Sequence, residues 1–225
     1  MLPHISRHRR AATIPALLGI LALGACAQGS VTADRAVLDG AQRPAEWNGI
    51  ITLASDPTGA ACTVSRDGNR VAEIAATPGQ VRLARGNSPA TVTCTAAGRL
   101  PTTVTLYPLR DLGVHHHQPT GPRGTVEHQR DIETGRIRRF FDTTVALPPA
   151  SFTSAAERDA YFAARAEAVR AYWAEPIARA ERASRASFNG MIDSPDTLRG
   201  YMNADLAALD RQKAAATVGA PRARR

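Results

Sequence analysis

The chain has 225 residues, 44% apolar and 21% charged, which excludes a wholly disordered polymer and allows one ordinary domain or two small ones. No apolar run reaches the ~20 residues that a membrane-spanning helix requires, which excludes a polytopic membrane protein. The formal charge of +8 comes from 28 basic residues, of which Lys213 alone is a lysine. Apart from the terminal Arg222, Arg224 and Arg225 they are interleaved with acids, so no nucleic-acid footprint is expected.

The first 25 residues have the layout of an export signal. Arg7, Arg9 and Arg10 form a positive region, Ala11 to Leu23 an apolar stretch, and Gly24, Ala25 and Cys26 follow. The run Leu23-Gly24-Ala25-Cys26 resembles the lipobox of bacterial lipoprotein signal peptides. The resemblance implies that residues 1–25 are removed, that the Cys26 thiol receives a diacylglyceryl group, and that the new amino terminus is acylated. Two or three acyl chains hold a protein stably at a membrane, where one holds it marginally. Ala27 and Gln28 follow, and the lack of Asp at the second mature position implies the outer membrane, on its periplasmic side. The alternative is an ordinary secretory signal cut after Ala25 or Ala27. Residues 26–48 are small and polar and read as a flexible tether.

Residues 49–108 are β-like. Six short runs, Ile50–Ala54, Ala61–Arg66, Val71–Ile74, Gln80–Ala84, Ala90–Ala96 and Thr102–Tyr107, are separated by Pro- and Gly-containing turns. Period two is clearest in Thr91-Val92-Thr93-Cys94-Thr95, which sends Val92 and Cys94 inward. The same rule turns Cys62 and Val64 inward. With Cys26 assigned to the lipid, Cys62 and Cys94 are the remaining pair, and in an exported protein an even pair reads as a disulfide. Ser55-Asp56-Pro57-Thr58-Gly59-Ala60, then Asp67-Gly68, Thr77-Pro78 and Gly98, resemble the PEGA domain, a small β-sandwich-like module of bacterial envelope proteins. This likeness covers about 60 residues, with Arg99 standing where the family usually has an aromatic. It implies a surface or scaffold context and transfers no catalytic residue.

Residues 109–142, rich in Gly, Pro, His and Arg, read as a long, mostly disordered loop. Asp131-x-x-Thr134-Gly135 resembles a turn that ends comparable insertions in such lipoproteins. Residues 143–148 read as a strand returning to the sheet, stopped by Pro148-Pro149. Residues 154–215 are helical. Ser154-x-x-Glu157 is a capping box, and Phe162, Val169, Trp173 and Ile177 fall on one face. Pro176 is expected to kink or split this helix. A second helix starts at Ser194 with Pro195 and Asp196 in its first turn and carries Leu198, Met202, Leu206 and Leu209 as its stripe. The apolar faces either pack within the molecule or meet a partner. Residues 216–225 read as a basic tail.

Chemistry is sparse. His115-His116-His117, with His128 nearby, supplies imidazoles that bind zinc, copper or nickel, yet adjacent histidines in a loop lack convergent spacing and read as a solvated run. No nucleophile elbow, phosphate loop or Cys-x-x-Cys is present. Ser151, Ser154, Ser184 and Ser187 sit in helix or cap contexts, and Asp193 and Asp196 read as helix caps. The expectation is an α+β chain: a β-sandwich-like domain, a loop, and two helices. It is expected to be no enzyme and to hold no cofactor. Its expected role is binding or scaffolding at the cell envelope, with the membrane, envelope proteins or cell wall as partners and no nucleic acid. The alternative is a periplasmic metal-handling protein working through His115–His117.

Overall fold

The computed structural model describes Leu38 and residues 41–116, 121–186 and 193–219. It is mixed α+β. Six strands follow one another as the alternation requires: β1 (Ile50–Asp56), β2 (Ala61–Arg66), β3 (Asn69–Ile74), β4 (Gly79–Arg82), β5 (Ala90–Thr95) and β6 (Thr102–Leu106). β5 alternates buried and exposed at every position. Asp67 and Gly68 both take positive φ in the two-residue turn between β2 and β3, the conformation a tight hairpin demands.

Two sheets enclose one core. β3-β2-β5-β6 forms the larger, and β4-β1-β9 the smaller, where β9 is Thr143–Ala146. The predicted returning strand is therefore real, and it pairs parallel to β1 with Leu53 opposite Thr143. Ile51, Leu53, Val81 and Val145 of the smaller sheet meet Val64, Val92 and Leu106 of the larger. Cys62 and Cys94 stand directly opposite each other on β2 and β5, point into this core and are disulfide-bonded.

The core's two aromatics come from outside residues 49–108. Trp47 and Phe140 meet edge to face with centroids 6.0 Å apart, and both are buried. Trp47 belongs to the segment expected to be a tether, so the folded part begins before residue 49. Its indole N–H donates to Ile50 O at 2.6 Å, and Arg43 donates to Leu112 O at 2.9 Å.

The expected disordered loop is also corrected. Residues 109–142 carry β7 (Leu109–Arg110), helix α1 (Gly121–Thr134) and β8 (Arg138–Arg139), with β7 paired to β8. Buried charge orders it. Asp111 is fully enclosed and ion-paired to Arg85 at 2.7 Å, and it accepts from Trp47 N and Gly113 N. Arg85 donates further to Trp47 O at 2.8 Å and Arg138 O at 2.7 Å. The Asp131-x-x-Thr134-Gly135 run is the end of α1. Gly135 turns left-handed at φ 63, where a Cβ would strike the Gly86 backbone at 2.6 Å, and Asn87 donates to the exposed carbonyls of Ile132 and Glu133.

α2 (Ala155–Ala186) continues unbroken through Pro176, so of the expected kink or split the helix does not split. Glu157 N–H donates to Ser154 Oγ, and the Glu157 carboxylate reaches one residue further back than a capping box, to Thr153 N–H. α3 (Pro195–Ala215) starts at Ser194, whose hydroxyl accepts from Thr197 N as expected of an N-cap. The predicted tail is corrected at its start: Ala216 is buried, and β11 (Thr217–Val218) pairs parallel to β10 (Ser151–Phe152). Among the described residues no helix is long and apolar enough to cross a membrane.

Candidate functional site: a groove between two sheet edges and a helical hairpin

The helical stripe is divided between two clusters. Phe162 packs with Phe152, Ala216, Leu100, Tyr161 and Leu209. Trp173, eleven residues and about three helical turns further along, packs with Leu109, Leu198, Tyr107 and Tyr201. Tyr107 stacks on Tyr201 with centroids 4.0 Å apart. Between the two clusters lies a groove of about 950 Å³.

Its floor is made of strand edges. β6 ends the larger sheet and β9 ends the smaller, so among the described residues each has one side unpaired by a strand. The groove is lined by every residue from Leu100 to Tyr107 and by Phe141–Thr144 and Ala146. A sheet face would present alternate residues; an unbroken run means that the groove follows the strand's edge. The two edges are clasped at one end, where Leu100 N donates to Pro148 O at 2.9 Å and Arg99 pairs with Pro149. Val169, Tyr172, Trp173 and Leu209 form the helical wall.

The groove is electrically graded. At the Trp173 end, Asp205 accepts the Trp173 indole N–H at 2.9 Å. Burial pushes the Asp205 carboxyl above its ordinary value of 3.8, and the indole hydrogen bond offsets part of that. The Tyr107 phenol is raised in turn, by burial first and then by the charge of Asp205. At the other end stand Arg165 and Arg211. The other arginines of α2 and α3 whose side chains are described, Arg158, Arg170, Arg179, Arg182 and Arg199, each have a carboxylate partner. Neither Arg165 nor Arg211 has one among the described residues.

Asp205 yields a pH prediction. A carboxyl raised on folding favours the protonated native state, so its stabilising contribution is present below its ordinary value of 3.8 and is lost as pH rises through the raised value. Asp205→Asn keeps an acceptor for Trp173 and cannot ionise. The variant is expected to gain thermal stability relative to the parent as pH rises from about 3 to 6. Parallel melting curves across that range check it, and a constant difference would remove Asp205 from the account.

Of the histidine run expected to be solvated, His115 is exposed, but His116 is not. His116 is enclosed, its Nδ1 3.5 Å from Asp131 Oδ2, and its ring faces that of His128 at 4.7 Å. Asp131 also accepts from Arg136 Nε at 2.7 Å. His117 lies outside the described residues. Among those described, no three His, Cys, Asp or Glu side chains gather as a metal site. Ser154 caps α2, and Ser184 Oγ donates to Glu181 O. Ser151 lies in β10, and Ser187 lies outside the described residues. Asp196 pairs with Arg199 in the first turn of α3. Asp193 does not cap; it accepts from Arg110 N at 3.1 Å and is ion-paired with Arg138, tying the hairpin's tip to β7 and β8. Cys26 lies outside the described residues. The sequence reading missed the groove itself, although one signal was available. Arg165 and Arg211 have only Ala, Val, Phe or Tyr three and four positions away on their helices, so no intrahelical ion pair is open to them.

No protein-family model matches the chain, and comparison with curated proteins and with solved structures likewise finds no match.

Proposed function

We propose that the chain is a cell-envelope lipoprotein, held at the outer membrane's periplasmic face by acyl chains on Cys26, whose folded part binds a partner in the groove and performs no catalysis. The observation that carries this reading is the Cys62–Cys94 disulfide. A core disulfide persists in an oxidising compartment, and the chain's third cysteine is the one at the lipobox position. The PEGA-like assignment of the β-domain is part of the proposal. It draws support from Thr77 Oγ1, which accepts the N–H groups of both Gly59 and Ala60 at 3.1 Å and so joins two of the segments that carry the likeness. The partner is an envelope protein or the cell wall. Metal handling through His115–His117 is not favoured, because His116 is committed to the interior beside Asp131.

Palmitate labelling tests the anchor. The parent chain is expected to take up labelled palmitate and to fractionate with membranes, and Cys26→Ser to lose both. Equal label on the variant would overturn the lipid anchor.

A further inference from the structure

We propose that the groove takes an extended, acidic peptide segment of a partner protein, added as a strand to the free edge of β6. The inference rests on the reading of the groove as a binding site, and it names the occupant.

Hydrogen-bond parity shows which groups that edge offers. The Cα atoms of Cys62 and Cys94 lie 4.1 Å apart, the spacing of a non-hydrogen-bonded pair. The Cys94 backbone groups therefore point away from β2 and exchange bonds with Thr102 of β6, its partner in register. By alternation, Val104 and Leu106 also bond to β5, while the N–H and C=O groups of Thr103 and Thr105 point outward. The side chains agree: Thr93 and Thr103 hydroxyls lie 2.9 Å apart, as in a closely spaced non-hydrogen-bonded pair. Among the described residues no hydrogen bond reaches those outward groups. Pro101 has the same parity, so the missing N–H of a proline is already accommodated on this edge.

An edge of alternating donors and acceptors is complemented by another extended backbone, which is how strand addition gains affinity. The groove's aromatic and aliphatic helical wall would receive alternate side chains. Charge sets the rest. Asp142 and Asp205 line the groove as well, but Arg165 and Arg211 are the lining arginines that have no carboxylate among the described residues, and a partner carboxylate would complete them. A free fatty acid would satisfy the arginines and the apolar wall and leave the β6 backbone groups unmet, so the observations favour peptide.

The test uses the full chain in lipid nanodiscs and fluorescence anisotropy. The probes are a labelled octapeptide of alternating threonine and valine ending in two glutamates, and the same peptide ending in two lysines. The acidic peptide is expected to bind more tightly, by about tenfold for each ion pair gained. Thr105→Pro removes one outward N–H and leaves the β5 ladder whole. It is expected to weaken binding by about tenfold with an unchanged circular dichroism spectrum. If that variant fails to fold, Arg165→Glu with Arg211→Glu carries the test and is expected to reverse the preference. Equal affinity for the two peptides, an unchanged affinity in folded Thr105→Pro, or labelling of the groove by a photoreactive oleate when neither peptide binds would overturn the proposal. Lost palmitate label with intact peptide binding removes the anchor alone; lost peptide binding with intact label removes the occupant alone.

Discussion

Phe140→Ala is expected to lower unfolding stability by about 3–5 kcal/mol, the range for removing a fully buried phenylalanine from a packed core. Phe140 has no solvent exposure, packs edge to face on Trp47 and lies beneath the Arg66 guanidinium at 5.2 Å. It fills the space that a β-domain with no aromatic of its own between residues 49 and 106 leaves open. Domain stabilities run to roughly 5–15 kcal/mol, so this one truncation consumes much of the margin. Urea unfolding followed by tryptophan fluorescence measures it, since Trp47 reports on the same contact. A loss below about 1 kcal/mol would show that residues 109–142 do not contribute to the β core, because a surface substitution costs no more than that.

Replacing both Cys62 and Cys94 by alanine is expected to cost about 3–4 kcal/mol, from the closure entropy of a loop of this length in the unfolded chain. The sequence separation is 32, and the bond joins residues already opposite in register, so the native ladder does not depend on it. The doubly substituted protein should keep its circular dichroism at low temperature and melt about 10 °C lower. Non-reducing mass spectrometry of the exported parent checks the bond itself. Two free thiols there would leave the cysteines as ordinary small core residues.

These two cases mark what the sequence could and could not convey. The strands were legible because period two is written in small alternating residues, and their parity located both cysteines. α1 was not legible because its pattern is inverted: Val126 and Ile132 are exposed, at 66% and 37%, while the residue it buries is Asp131. A helix held by an enclosed carboxylate and its Arg136 and His116 neighbours leaves no hydrophobic period to read. Trp47 and Phe140 were equally hidden, since each lies in polar surroundings and acquires its partner only through tertiary structure. The groove combines these difficulties. One wall is the edge of a strand, and no sequence pattern says which strand will end a sheet.

The hairpin of α2 and α3 is fastened at both ends. Its base is closed where β10 lies beside β11, and its tip is held where Asp193 engages Arg110 and Arg138. A beam fixed at both supports does not swing as a jaw does. The groove beneath it is then expected to keep its width on binding, so that a guest would slide in from the side and meet a finished shape. Little ordering of the host is then charged against affinity, and discrimination between guests rests on fit, with residence time set by how fast the guest itself lets go.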